Sequence, residues 1–237
     1  MAPQFSLSDI WFFGISVVAL ALVPTAFATR AWIFPAWFAG IGVYLLVAPA
    51  ALHPAWNVWV WLLLSQGPWI ALVPDLLSRG RAARSLDAVP LRSLLAFSLL
   101  HLLGARHVFS ALSGDLPPDF ALEIASGETL TAFGAGILWL FCRPEKLWFR
   151  LLAMFWNAQA LTGSLVWSWA LLRAHTGLPV VGVPSPDLHA YFGGWPGGLE
   201  AFFWIPLAVC LHAAVFYKLL RPDPDAPIAC SSGEIIP

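Results

Sequence analysis

The sequence is poor in charge. Only 11% of its 237 residues are Asp, Glu, Lys or Arg, whereas soluble domains carry about 25%. Hydrophobic residues make up 59% of the chain, and its mean hydropathy is +0.77. Such a chain lacks the polar surface that would keep it in water. We therefore predict an integral membrane protein with membrane lipids around it.

Cysteines, net charge and recognisable catalytic motifs are also scarce. Three cysteines cannot form a disulfide framework. A net charge of −1 provides no basic face, so we expect no nucleic-acid partner. The sequence contains no nucleophile elbow, no phosphate-binding loop and no compact metal-ligand spacing. We therefore expect a non-catalytic protein without a metal site.

Long apolar stretches occupy most of the chain. A helix that spans a bilayer needs about 20 mostly apolar residues, and seven stretches meet that requirement. They predict an all-α, polytopic bundle of seven transmembrane helices over residues 1–221, followed by a polar tail over 222–237. The seven stretches are Asp9–Ala28, Trp32–Leu52, Trp56–Val73, Leu91–Leu112, Phe120–Cys142, Leu147–Leu172 and Ala201–Leu220.

The basic residues predict the orientation of this bundle. Ten of the twelve Lys and Arg residues lie in alternate connections, namely those after the first, third, fifth and seventh helices. Connections rich in Lys and Arg face the cytoplasm. We therefore predict that the N-terminus lies outside and the C-terminus lies in the cytoplasm.

Three polar residues fall well inside the predicted spans. Counted from the nearest helix ends, Arg106 lies about 9 Å deep and Glu128 about 13 Å deep, and a short turn joins their helices. Asn157 lies near mid-membrane on the sixth helix. Ionisable groups at such depth are costly and mark either paired or functional sites. We expect Arg106 and Glu128 to form an ion pair, which would serve either to lock two helices together or as part of a ligand or proton site.

Two histidines, His101 and His212, lie near mid-membrane on the fourth and seventh helices. Imidazoles at matching depth on different helices could ligate a b-type haem or a chlorophyll-type pigment. Alternatively, each ring is hydrogen-bonded to a neighbouring helix. The sequence alone does not decide whether a cofactor binds, or which one.

The predicted outer connection over residues 174–199 is rich in Gly and Pro. Tyr191, Phe192 and Trp195 in this loop are amphipathic aromatic residues of the kind that interfaces favour. They are candidates for contact with other membrane subunits. The alternative is that they rest in the lipid headgroup layer.

Four short motifs lie between Leu116 and His212, namely Leu116–Leu122, Gly127-Glu128, Trp156-Asn157, and Ile205–Leu207 with His212. In these motifs the chain, from about residue 90 to 220, resembles a group of uncharacterised bacterial multi-helix integral membrane proteins. The resemblance implies a multi-pass fold in the bacterial cytoplasmic (inner) membrane and implies no activity.

From these features we predict an accessory or assembly subunit of a larger membrane complex, which could contain pigment or haem. One alternative is a small-solute or lipid transporter or receptor with an intramembrane polar site. The other is a haem- or pigment-binding membrane protein.

Overall fold

The computed structural model describes residues 37–45, 54–175 and 197–221. All regular structure in these ranges is helical, which confirms the all-α prediction for them. We name the helices α1 (residues 37–45), α2 (Pro54–Leu77), α3 (Arg81–Asp87), α4 (Leu91–Leu112), α5 (Pro118–Leu140), α6 (Leu147–His175) and α7 (Glu200–Leu220, preceded by a helical turn at Gly197–Leu199).

The helices α4 to α7 begin and end close to the predicted apolar stretches, whereas α2 is longer than predicted. It continues to Leu77 and contains Pro68 and Pro74. A proline within a helix leaves the carbonyl four residues earlier without its amide donor. For Pro68 that carbonyl belongs to Leu64, and it accepts a hydrogen bond from the Trp37 indole Nε1 at 3.0 Å. A neighbouring helix thus satisfies the group that the proline frees.

Three of the described helical segments are long and apolar enough to cross a membrane, namely Trp59–Leu77, Leu91–Leu112 and Glu200–Leu220. The helices α5 and α6 are long enough to span, with 23 and 29 residues. They are less apolar or more charged than the three segments above and are not among the candidate spans. The first predicted span, Asp9–Ala28, lies outside the described residues. Seven spans therefore remain a prediction.

The basic connections gather at one end of the bundle. Arg221, at the end of α7, binds Asp87 of α3 with an Nη1–Oδ1 distance of 3.0 Å, and the Tyr217 hydroxyl donates to the same oxygen at 3.0 Å. Arg150, at the start of α6, donates from Nε to the carbonyl of Leu219 at 3.1 Å. The α3–α4 and α5–α6 junctions and the end of α7 therefore lie together. The alternation of basic residues along the sequence predicts this grouping.

Candidate functional site

Four polar side chains from α4, α5, α6 and α7 form one hydrogen-bonded chain inside the bundle. The Glu128 carboxylate contacts Nδ1 of His101. Nε2 of His101 lies 3.1 Å from Nε2 of His212, and Nδ1 of His212 lies 2.8 Å from Oδ1 of Asn157. The two histidines and the asparagine are buried, with His212 and Asn157 at 0% exposure. Residues selected separately in the sequence thus form a single network.

Local backbone features bring Glu128 and His101 of this network together. His101 lies in a 3₁₀ stretch, Ser98–Ala105, in the middle of α4. Runs of 3₁₀ helix longer than three or four residues are uncommon and often mark functional segments. Gly104, in the same stretch, faces Glu128 so closely that a Cβ atom there would lie 2.5 Å from Glu128 Cγ. The absence of a side chain at Gly104 therefore allows the carboxylate to reach His101.

The hydrogen bonds of Asn157 fix which ring nitrogen carries the proton of a neutral His212. Asn157 Nδ2 donates to the backbone carbonyl of His212 at 2.9 Å. The amide oxygen must then face His212 Nδ1, since the flipped amide would place two oxygen atoms together. An amide oxygen can only accept a hydrogen bond, so the proton of this contact belongs to His212 Nδ1. A neutral His212 therefore presents a lone pair at Nε2.

The proton count for His101 and Glu128 follows from that lone pair. The contact between the two Nε2 atoms needs one proton, and His101 must supply it. The contact between His101 Nδ1 and Glu128 needs a second proton, because a neutral imidazole with its proton on Nε2 has only a lone pair at Nδ1. This proton is carried either by the ring, as an imidazolium facing a carboxylate, or by the carboxyl group. In both forms Glu128 and His101 share one proton and have a combined charge of zero.

A second buried cluster lies nearer the Leu112 end of α4. Arg106 Nη2 lies 2.7 Å from one carboxylate oxygen of Glu200, and His107 Nε2 lies 2.6 Å from the other. The exposed fractions of the Arg106, His107 and Glu200 side chains are 14%, 0% and 12%. Glu200 begins a π-helical turn, Glu200–Trp204, at the start of α7, and such turns are frequent at functional sites.

The expected ion pair between Arg106 and Glu128 is wrong. Arg106 is paired with Glu200, while Glu128 is paired with His101. Depth counting correctly identified α4 and α5 as neighbours, and it placed the two groups about 4 Å apart along the membrane normal. Gly104, which lies against Glu128, is only two residues before Arg106, so the depths agree with the count. The pairing differs because Glu128 contacts His101, while the start of α7 supplies Glu200 as the partner of Arg106.

Sequence reasoning missed Glu200 and His107. Glu200 falls between the predicted connection over residues 174–199 and the predicted start of the seventh helix at Ala201, and belongs to neither. His107 adjoins Arg106. An ionisable residue at the boundary of an apolar stretch, opposite a buried arginine of another helix, is the signal that could have identified Glu200.

A cavity of about 60 Å³ lies between the two clusters. The cavity is only partly enclosed, so this volume sets no size limit for a ligand. Most of its wall is apolar and includes the rings of Phe97, Trp167 and Trp204. Its polar lining consists of His101, Arg106, Glu128, Ser164 and Glu200.

The two mid-membrane histidines bond to each other, which bears on the haem hypothesis. An iron held axially by both rings would lie between their Nε2 atoms at about 2 Å from each. The observed separation of 3.1 Å is that of a direct hydrogen bond. Within the described ranges, no three His, Cys, Asp or Glu side chains are grouped so that they could hold a metal ion. In the described arrangement the two rings contact each other directly.

The interface candidates Tyr191, Phe192 and Trp195, and the tail over 222–237, lie outside the described residues. Comparison with known proteins adds no functional information, because no protein-family model, no curated protein and no solved structure matches this chain.

Proposed function

We propose that this chain is a non-catalytic, multi-pass integral membrane protein that binds and releases one proton at an intramembrane polar site. The class of function is a transporter or receptor for a small solute. The shared proton of Glu128 and His101 carries this proposal. A chain of polar groups on four helices, three of them titratable, beside a cavity, is typical of ion pathways and proton relays in membrane proteins.

The membrane placement is supported by composition and by the helices themselves. Three described segments have the length and hydropathy of spans, and large apolar side chains such as Phe133 and Phe155 are exposed, at 67% and 72%. These side chains would face lipid. The bacterial cytoplasmic membrane is the location that the resemblance over residues 90–220 implies.

Cysteine labelling from the two sides of the membrane tests the proposed topology. Asp115 lies in the α4–α5 turn and Glu145 in the α5–α6 connection, and both are exposed. In a background with Cys142→Ser, Cys210→Ala and Cys230→Ser, we expect Asp115→Cys to react with an impermeant maleimide on intact spheroplasts. Glu145→Cys should react only after lysis. Reaction of Glu145→Cys on intact spheroplasts, or labelling of both positions from the same side, would contradict the topology.

Nuclear magnetic resonance of the hydrogen-bonded protons tests the proposed site. A proton held between a histidine ring and a carboxylate lies in a short charge-assisted hydrogen bond, which moves its resonance far downfield. We expect the wild-type protein in nanodiscs, labelled with ¹⁵N in its histidines, to show one such proton on His101, and Glu128→Gln to lack it. The matched control is Glu123→Gln, an exposed glutamate on the same helix, which should keep the signal. The same signal in Glu128→Gln and in the wild type would contradict the proposal.

The second candidate is an accessory subunit of a larger membrane complex. The observation that favours it is the aromatic outward face of α6, where Trp148, Phe155 and Trp169 are 54%, 72% and 60% exposed. Rings of this kind serve as anchors in interfaces between membrane subunits as well as in lipid. Stoichiometric co-purification of other membrane proteins in gentle detergent, reduced when Tyr191, Phe192 and Trp195 are replaced by serine, would support this function.

A further inference from the structure

The carboxyl group of Glu128 uses only one of its two oxygen atoms within the chain. Oε2 contacts Nδ1 of His101. Among the residues that the structure describes, no group donates a hydrogen bond to the other oxygen, Oε1. The shared proton lies either on the ring or on Oε2, the oxygen that faces the ring. Oε1 therefore accepts a hydrogen bond in both forms of the pair.

This free oxygen lies at membrane depth beside the cavity. The Glu128 side chain is 27% exposed and lines the cavity, which is only partly enclosed. Leu130 and Phe133, which follow on the same helix, are 60% and 67% exposed, as expected of side chains that face lipid. A polar atom without a hydrogen bond is costly in hydrocarbon, where no bulk water can satisfy it. Oε1 therefore requires a donor from outside the chain.

The rest of the cavity wall indicates what kind of molecule carries that donor. The hydroxyl of Ser164 donates to the carbonyl of Ala160 at 3.0 Å, so it offers the cavity only lone pairs. The side chains of His101, Arg106 and Glu200 are hydrogen-bonded within the chain. The remaining lining is apolar and includes Phe97, Trp167, Trp204, Leu207 and Leu211. A ligand that matches this wall carries a hydrogen-bond donor on an apolar body.

Resting on the transporter or receptor function proposed above, we propose that the ligand is an apolar alcohol dissolved in the bilayer, a hydrocarbon chain with one hydroxyl group. The hydroxyl donates to Oε1 of Glu128, and the chain lies against the apolar wall. A neutral hydroxyl reaches this depth from lipid at a lower cost than a charged donor, which would lose its hydration. Burial of the chain contributes little, because lipid is as apolar as the wall. The hydrogen bond therefore decides which membrane component binds.

Photocross-linking of the full-length protein in nanodiscs tests this inference. The probe is hexadecanol with a diazirine in its chain, and mass spectrometry identifies the labelled residues. We expect saturable labelling of the cavity wall, at residues such as Phe97, Trp167 and Leu207. Unlabelled hexadecanol should compete at a mole fraction in the lipid about tenfold lower than its methyl ether. The ether keeps the chain and the oxygen but cannot donate, and a tenfold difference corresponds to the loss of about one hydrogen bond.

Variants of Glu128 separate the acceptor oxygen from the shared proton. Glu128→Met has no acceptor and should lower the labelling about tenfold. In Glu128→Gln the amide nitrogen can donate to His101 while the amide oxygen remains towards the cavity. This variant should therefore retain the labelling although it lacks the downfield proton resonance. The matched control is Glu123→Met, at an exposed position of the same helix, which should be labelled like the wild type; gel filtration verifies that each variant is folded.

The comparison of alcohol and ether uses the wild-type protein alone, so it decides the matter even if Glu128→Met fails to fold. If the two compete equally, lipid merely fills the cavity and the inference is wrong. If no saturable labelling occurs while the downfield proton of His101 is present, the ligand inference fails and the proton site stands. If that proton is absent from the wild type, the proposed function fails. Competition by glycerol as effective as that by hexadecanol would overturn the assignment of the ligand to the bilayer.

Discussion

Replacing Arg106 by methionine is expected to lower the free energy of unfolding by about 3–5 kcal/mol, the range found when one partner of a buried ion pair is removed. The Arg106 guanidinium lies 2.7 Å from Glu200, and both side chains are nearly buried. Without it, the Glu200 carboxylate keeps only the His107 ring as its partner in this cluster. Reversible denaturation in bicelles measures the loss.

A double variant distinguishes the pair from two independent residues. Replacing Arg106 by methionine and Glu200 by leucine removes both charges, so the combined loss should be smaller than that of Arg106→Met alone. The matched control is Arg143→Met, because Arg143 is exposed in the α5–α6 connection and surface substitutions usually change stability by less than about 0.5 kcal/mol. Equal and additive losses for Arg106→Met and Glu200→Leu would contradict the ion pair.

The sequence predicts the helices well because span length and hydropathy are local properties. The predicted fourth helix, Leu91–Leu112, has the bounds of α4, and the predicted sixth begins where α6 begins. The same rule on polar residues at depth selected His101, Glu128, Asn157 and His212, all of which join one network. The rule works because the cost of burying a polar group depends on depth, which can be counted along the chain.

Partners within the site could not be predicted in the same way, because they depend on the rotation and winding of each helix. The 3₁₀ stretch Ser98–Ala105 changes the directions in which His101 and Arg106 point, and the π-helical turn at Glu200 adds another change. Gly104 lies within the 3₁₀ stretch and Pro206 follows the π-helical turn closely, but neither residue predicts which irregularity forms. Depth alone therefore assigned Glu128 to Arg106, when its partner is His101.

Replacing Gly104 by alanine is expected to disrupt the contact between Glu128 and His101, although neither glycine nor alanine has a polar side chain. The new Cβ would lie 2.5 Å from Glu128 Cγ, so α4 and α5 must separate or the glutamate must move away from His101. Overpacking of this kind costs about 1–3 kcal/mol. Because the shared proton requires contact between Glu128 and His101, the variant should also lose the downfield resonance of that proton.

Gly127, the residue before Glu128, provides the matched control. A Cβ atom at Gly127 would have no neighbour within 4 Å, so Gly127→Ala should leave the resonance of the shared proton unchanged. Its free energy of unfolding should rise by up to about 1 kcal/mol, since alanine favours the helix over glycine. The two substitutions add the same methyl group to neighbouring helices and differ in whether that group meets Glu128. If Gly104→Ala retained both the stability and the shared-proton resonance of the wild type, the close approach of α4 to Glu128 could not be what holds the carboxylate against His101.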